Sequence, residues 1–283
     1  MAGRAAMKLT SSGEEVRVLS LSGIAEISNA FDLSRRQTEI AALSQGITPE
    51  RYLRNSRSLS LNEQKRLLES KVLLVGLGGL GGTIAELLAR VGIGSLVIAD
   101  GDQFEENNLN RQILSSEKAL GKSKAKVAFE RLTEINSAMH IDPIDRYLNE
   151  GDLDVILNGV DVAVDALDGF SDRFLLEKKC RQYDVPLVHG AVAGAWGQIS
   201  VIYPGDPGLR LIYGEEQDLP ETGMEAILGN LSPTVSAVAS IEVMEVVKIV
   251  TGKGMVLRNR ILFLDLMEGE IKVANIMDGE QER

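Results

Sequence analysis

The chain has 283 residues, 44% of them hydrophobic and 25% charged, with a formal net charge of −11 at pH 7. That length fits one large α/β domain, or one domain with an appendage, and no run of apolar residues is long enough to span a membrane. The acidic balance argues against nonspecific nucleic-acid binding, which depends on basic surface, so an anionic ligand needs a local basic pocket set against the overall field.

Residues 1–50 are weakly patterned and predict an N-terminal extension, partly helical, ahead of a domain over 51–283. The extension's helix is expected from Ser34, as N-cap, to Gly46. GITPERYLRN reads as a turn and SLNEQKRLLES as a polar helix. From Lys71 the pattern changes. KVLLVG predicts a short apolar strand, LGGTIAELLARVG a helix and SLVIAD a second strand. SSEKALGKSKAKVAFERLTEIN supplies a long crossover to a third strand, HIDPID. VAVDALD reads as a fourth strand, SDRFLLEKKCRQYD as a helix capped by Ser171, and VPLVHGA as a fifth strand. Such alternation implies right-handed βαβ units, hence a Rossmann-like, doubly wound α/β fold with a mainly parallel sheet. Beyond Ala191, GQISVIY and ILFLDLMEGEIKVANI predict antiparallel strands extending that sheet, the second pair turning at Glu268 and Gly269. Between them lie an acidic loop, EEQDLPETGMEAILGNL, and a helix capped by Ser232, with Pro233 in its first turn and Gly252 at its end.

Gly76, Gly78 and Gly81 fit G-x-G-x-x-G between the first strand and its helix, with Gly79 in the same turn. The first glycine permits the turn, the second lets backbone approach a phosphate, and the third lets helix and strand pack closely. Asp100 ends the second strand, where a carboxylate can accept bonds from both ribose hydroxyls. These features alone suit a nicotinamide, a flavin or a nucleoside triphosphate equally. The cations discriminate. Arg111 follows Asn107, Asn108 and Asn110 just beyond the second strand, and Lys124 sits in GKSK at the entry to the next helix. An acidic chain that places Arg and Lys beside the phosphate-binding strand ends points to a polyphosphate; Lys122 and Lys126 read as a solvated helix face. Asp165 and Asp168 fall at the end of the fourth strand, the crevice side of such a sheet. A carboxylate there is a candidate magnesium ligand, and of the two Asp165 reads as a turn residue.

Taken together, RYLRN, VGLGGLGG, VIADGDQFEENNLNRQ, GKSK, DALD, VPLVHGAVAGAWGQISV and the helix after LSP resemble the MoeB/ThiF/HesA family, relatives of ubiquitin-activating enzymes, in family order from residue 51 to about 266. The resemblance implies ATP-dependent, magnesium-dependent adenylation of the C-terminal glycine carboxylate of a small ubiquitin-like or sulfur-carrier protein, by a homodimer. By similarity, Asp100 would hold the ribose, and Asn108, Arg111 and Lys124 would line the triphosphate, with Asn107 a further nucleotide-binding candidate. Asp168 would bind magnesium, and Arg54 would reach ATP bound to the other subunit. Asp102, Gln112 and Arg173 are weaker correspondences. Gly169 departs from the asparagine that many members carry after the metal aspartate.

The nucleophile of such a reaction is a carboxylate, already ionised at neutral pH, so no general base is needed. Charge repulsion, positioning and the leaving group form the barrier, which cations and backbone N–H donors address. Many members also carry zinc-binding C-x-x-C pairs. Here Cys180, His140 and His189 exhaust the thiols and imidazoles and cannot build a four-ligand zinc site. Cys180 reads as a small core residue, and one cysteine without a disulfide partner fits a reducing cytoplasm, as does the absence of an apolar leader in MAGRAAMKLTSSGEEV. Competing readings are adenylation of a modified tRNA base or of a peptide, and a nucleotide-binding scaffold without turnover. A nicotinamide dehydrogenase leaves NNLNRQ and Lys124 unexplained.

Overall fold

The computed structural model of the chain describes residues 1–9, 13, 15–220 and 223–276. At the N-terminus, β1 (Ala6–Leu9), β2 (Glu15–Leu19), α1 (Leu21–Phe31), α2 (Arg35–Ser44) and β3 (Thr48–Pro49) surround a small core of Leu19, Ile24, Ile27, Ala42 and Ile47. β1 and β2 pair antiparallel, β2 and β3 parallel. Of these elements the sequence predicts only α2. Ser34 caps it through a reciprocal capping box with Gln37. The two strands escape because they are short, and β2 is buried only at its end, so no alternation shows.

A 3-10 turn over Glu50–Asn55 leads to α3 (Leu61–Glu69), capped by Ser60 and Glu63. The alternating region then runs β4 (Lys71–Val75), α4 (Gly79–Val91), β5 (Ser95–Ala99), α5 (Lys124–Ile135), β6 (His140–Ile144), α6 (Glu150–Ile156), β7 (Val162–Asp165), α7 (Phe170–Gln182) and β8 (Leu187–Ala193). After it come β9 (Trp196–Ile202), α8 (Leu209–Tyr213), α9 (Glu225–Leu228), α10 (Ser232–Thr251), β10 (Arg260–Asp265) and β11 (Glu270–Asn275). Among the described residues, eight strands form one sheet in the order β11-β10-β9-β8-β7-β4-β5-β6. The ladders from β8 to β6 are parallel and those from β8 to β11 antiparallel, which is the architecture expected from the sequence.

Side-chain parity divides the core. Val72, Leu74, Leu96, Ile98, Val162 and Val164 face α4, α5 and α10. Their neighbours Leu73, Val75, Val97 and Ala163 face α6, α7 and α8. Strands covered on both faces read as continuous apolar runs, which is why KVLLV and SLVIA were legible. Register sets the site: Val75 pairs with both Ala99 and Asp165, so the ends of β5, β4 and β7 share one edge, with His189 of β8 beside Asp165.

Three boundaries differ from expectation. α7 begins at Phe170 with Gly169 at the cap position, so Ser171 lies inside the first turn. α10 begins at Ser232 with Leu231 at the cap position, Pro233 in its first turn and Gly252 ending it in the left-handed conformation. Proline suits either of the first helical positions, so it locates a helix start only to within a residue. The long crossover is helical only from Lys124, since Glu117–Ala119 forms a separate 3-10 turn. Helix α6, capped reciprocally by Asn149 and Asp152, has no counterpart in the sequence reading. Within the expected acidic loop at 215–231, residues 221–222 lie outside the described residues, as do 10–12, 14 and 277–283 at the chain ends. No helix among the described residues is long and apolar enough to cross a membrane.

The N-terminal unit meets the sheet domain through a buried polar joint. Tyr52 donates to Glu39 at 3.3 Å and accepts from Asn136 Nδ2 at 3.0 Å. Burial pushes the Glu39 carboxyl up to about 7, against the pull of Arg51, whose Nε lies 3.3 Å away without hydrogen-bond alignment. An acid with a raised folded-state pKa stabilises the fold below its unfolded pKa, and that contribution is lost as pH rises through the folded value. Glu39→Gln should therefore flatten the decline in unfolding free energy between about pH 4.5 and 7, a span worth on the order of 3 kcal/mol, read by urea denaturation across pH.

Candidate nucleotide and acceptor site

The glycine turn after β4 is shaped by backbone contact. Gly76 has φ +93°, and a Cβ there would stand 2.3 Å from the Ala166 carbonyl oxygen at the end of β7. A Cβ on Gly81 would stand 1.9 Å from the Gly76 oxygen. Gly78 differs: its nearest neighbour would be Gln112 Nε2 at 3.8 Å. No protein atom crowds Gly78, so its small size leaves room for a ligand. Gly79 is tighter, 3.1 Å from Val235 of α10 and 3.5 Å from Arg111 Cγ. Gly78 caps α4 without a side-chain bond, leaving the first N–H groups and the positive helix end directed at the cleft.

Asp100, just past β5, ties this turn down. Its carboxylate accepts from Leu77 N–H at 2.7 Å and Asp102 N–H at 2.8 Å, and a second lone pair on each oxygen remains for a ligand. Lys124 is the first residue of α5, the helix end where a cation is disfavoured. Its ammonium is nevertheless buried and held 2.8 Å from Asp102. Partial burial opposes ionisation of Asp102, but Lys124 and the Tyr147 hydroxyl outweigh it and hold the carboxyl below its ordinary range. Asp102 in turn pushes Tyr147 up to about 12. Lys122 and Lys126 are exposed.

Two cavities meet here. The first, about 850 Å³ including its open mouth, runs over Gly76, Gly78, Asp100 and Lys124 to an apolar end at Leu148, Leu153 and Leu175. The second, about 470 Å³, is lined by Gly79, Arg111, Gln112, Arg173, Asn230 and Val235. Gly78, Ala166, Leu167 and Asp168 line both. Asp168 is exposed at that junction, while Asp165 is fully buried below it against His189. Arg111 is half-buried and donates to Asn107 O at 3.0 Å and Asn110 Oδ1 at 2.9 Å. Gln112 is buried with Oε1 lacking a partner.

The remaining expected residues lie elsewhere. Asn107 and Asn108 hold their own 3-10 turn together: Asn108 Oδ1 accepts from Glu105 N–H at 3.1 Å, Asn107 donates to Glu105, and neither lines the cavities. Arg54 is exposed on the 3-10 turn before α3 and lines neither cavity of its own chain. Cys180 is buried in α7, and burial pushes its thiol up, away from reactivity at neutral pH. The sequence reading passed over Arg146 and Tyr147, which line the first cavity. A signal was present, since both directly follow a strand predicted to end at the crevice.

A glycine turn, an uncapped helix end and a carboxylate at adjoining parallel strand ends define a Rossmann-type α/β protein with an anion-receptive crevice. The chain belongs to the ThiF family, whose profile matches residues 52–282. It is 34% identical over 223 residues to the SAMP-activating enzyme E1 of Haloferax volcanii, covering 76% of this chain and 82% of that protein. Over 223 residues it is 32% identical to the molybdopterin-synthase adenylyltransferase of Escherichia coli, covering 78% and 89%. Among solved structures, E. coli MccB with ATP shares the fold at a TM-score of 0.67 and 22% identity, over 82% of this chain and 72% of that one.

The crowded Gly81 and the open Gly78 make different predictions. Gly81→Ala should cost about 3 kcal/mol in chemical denaturation, because backbone must shift. Gly78→Ala should cost about 1 kcal/mol, yet weaken ATP binding at least about tenfold by calorimetry, because its Cβ enters ligand space.

Proposed function

We propose that the chain is an ATP-dependent adenylyltransferase that activates the C-terminal glycine carboxylate of a small ubiquitin-like or sulfur-carrier protein and releases pyrophosphate. The observation that carries this reading is the junction of the two cavities. One holds a helix N-terminus, Lys124 and a ribose-competent Asp100; the other brings Arg111 and Arg173 to the same wall, at Gly78 and Asp168. Relatives that are named an adenylyltransferase and an activating enzyme E1 support it.

In this reading the nucleoside lies in the first cavity, its base toward Leu148 and Leu153 and its ribose on Asp100. The acceptor carboxylate enters the second, where Arg111 offsets its repulsion from the phosphates. The carboxylate oxygen bonds to the α-phosphorus as the bond to the β-phosphate oxygen breaks, and the electron pair leaves with pyrophosphate. Lys124 and the α4 N–H groups stabilise the departing charge. Asn107 and Asn108 act by holding the Arg111 loop in shape. A single carboxylate fits magnesium here, because that ion keeps several waters and takes phosphate oxygens for the rest of its shell. Asp168 would hold it, and the ion would neutralise polyphosphate charge. Acceptor chains should end in glycine because the terminus must pass between backbone and cations.

Asp168→Asn should lower carrier-dependent ATP–pyrophosphate exchange by at least ~10²-fold while leaving the melting temperature nearly unchanged. Asp165→Asn breaks a buried pair and should lower the melting temperature as well. Full exchange in the Asp168 variant would show that the metal assignment is wrong. An amidated carrier should not react.

Arg54 enters through a homodimer, in which its planar fork grips a terminal phosphate bound to the partner subunit. Its exposure, without a hydrogen bond or ion pair among the described residues, supports this reading. Arg54→Ala and Lys124→Ala homodimers should each be inactive, and co-expressed heterodimers should regain activity, since one of their two sites carries neither substitution. Absence of recovery in verified heterodimers rules out sharing between subunits.

A further inference from the structure

Beneath the junction of the cavities, five side chains from five elements form one hydrogen-bonded chain, of which only Arg173 lines either cavity. Asp165 ends β7, Arg173 lies on α7, His189 on β8, Gln198 on β9, and Tyr213 closes α8. Asp165 and His189 are both fully buried.

Donor chemistry gives the chain a direction. In the amide orientation assigned to Gln198, its Nε2 donates to the Tyr213 hydroxyl oxygen at 2.6 Å. Arg173 Nη1 donates to the same oxygen at 3.3 Å. Two donors on that oxygen favour turning its own hydrogen to His189 Nε2, 2.8 Å away, as the unprotonated ring nitrogen. His189 Nδ1–H donates to Asp165 Oδ2 at 2.7 Å. The other Asp165 oxygen accepts from Leu167 N–H at 2.9 Å, and the Leu167 carbonyl accepts from Arg173 Nε at 3.0 Å. Both polar groups of Leu167 are thus held by this chain, and Leu167 immediately precedes Asp168.

The surrounding charges agree with a neutral imidazole and an ionised aspartate. Burial lowers the His189 pKa despite Asp165 beside it. Asp165 stays below its ordinary range against complete burial, because Arg173 and His189 outweigh that penalty. Glu177 of α7 adds a more distant charge. Across the sheet, burial pushes Glu242 of α10 well above the ordinary range, so it brings no negative charge against Gly190.

We propose that Tyr213 is a positioning residue: through His189 and Arg173, its hydroxyl fixes the Leu167 peptide and thereby the place of Asp168 in the cleft. Its influence on catalysis rests on the adenylyltransferase reading; its influence on the turn does not.

Tyr213→Phe is the test, since the ring keeps its edge-on packing against Phe170, at 5.1 Å between centroids. In the wild type, nitrogen NMR near neutral pH should find His189 protonated at Nδ1 and bare at Nε2. In the variant, amide hydrogen exchange over 166–169 should quicken about tenfold, the worth of one lost hydrogen bond. The kcat of carrier-dependent pyrophosphate exchange should fall about tenfold with KM for ATP within twofold. Tyr183→Phe, which removes a surface bond to Asp154 at 3.2 Å, should change none of these. A proton on His189 Nε2, unaltered amide exchange in Tyr213→Phe, or quickened exchange with an unaltered kcat each overturns the proposal. A wild-type protein without pyrophosphate exchange counts against the adenylation reading alone, and the NMR and amide-exchange results still decide whether Tyr213 holds the turn.

Discussion

The cleft edge depends on close backbone approach at two glycines. The turn leaving β4, the first turn of α4 and the end of β7 approach so closely that no side chain fits between them. A Cβ on Gly81 would meet the Gly76 oxygen at 1.9 Å, and one on Gly76 the Ala166 oxygen at 2.3 Å. This contact brings the uncapped end of α4 beside the segment that presents Asp168. Asp100 then closes the third side by accepting from Leu77 and Asp102 N–H groups. The geometry of the cleft is therefore set by hydrogen bonds and glycine contacts within the chain itself.

The charge distribution explains how a chain of net charge −11 can present a crevice to anions. Lys124 sits against the dipole of its own helix, almost out of water, with Asp102 as its counter-charge. The helix end and the burial both disfavour this cation, and the compensation comes from a specific partner. Arg111 is handled differently. It stays half-exposed and is steered by carbonyl and amide oxygens of its own loop, which direct it without neutralising it.

The polar groups below the cleft follow another logic. Asp165, read from sequence as a turn residue, is fully buried and keeps its charge only because Arg173, His189 and the Leu167 N–H surround it. His189 is satisfied from both ring nitrogens, as a core histidine should be. Burial pushes the Glu242 carboxyl well above the ordinary range, since its oxygens have no hydrogen-bond partner among the described residues. Burial thus governs Glu242 and His189, while at Asp165 nearby partners outweigh it.

By itself the sequence determined what is local and periodic. The parallel core was legible because strands buried on both faces are apolar runs, and the glycine turn because its constraints fall within six consecutive residues. Asp100, Arg111 and Lys124 could be placed near one another, since strand C-terminal ends converge in a doubly wound sheet. Tertiary structure decided the rest. The pairing of Lys124 with Asp102, the placement of Tyr147 over Gly101, and the Gln198–Tyr213–His189–Asp165 chain join residues from separate elements. Nothing in a residue's own neighbourhood specifies such a partner. Asp165 and Asp168 make the point most sharply: three positions apart at the end of one strand, the first read as a turn residue, yet packing buries it as a counter-charge and leaves Asp168 exposed at the cleft.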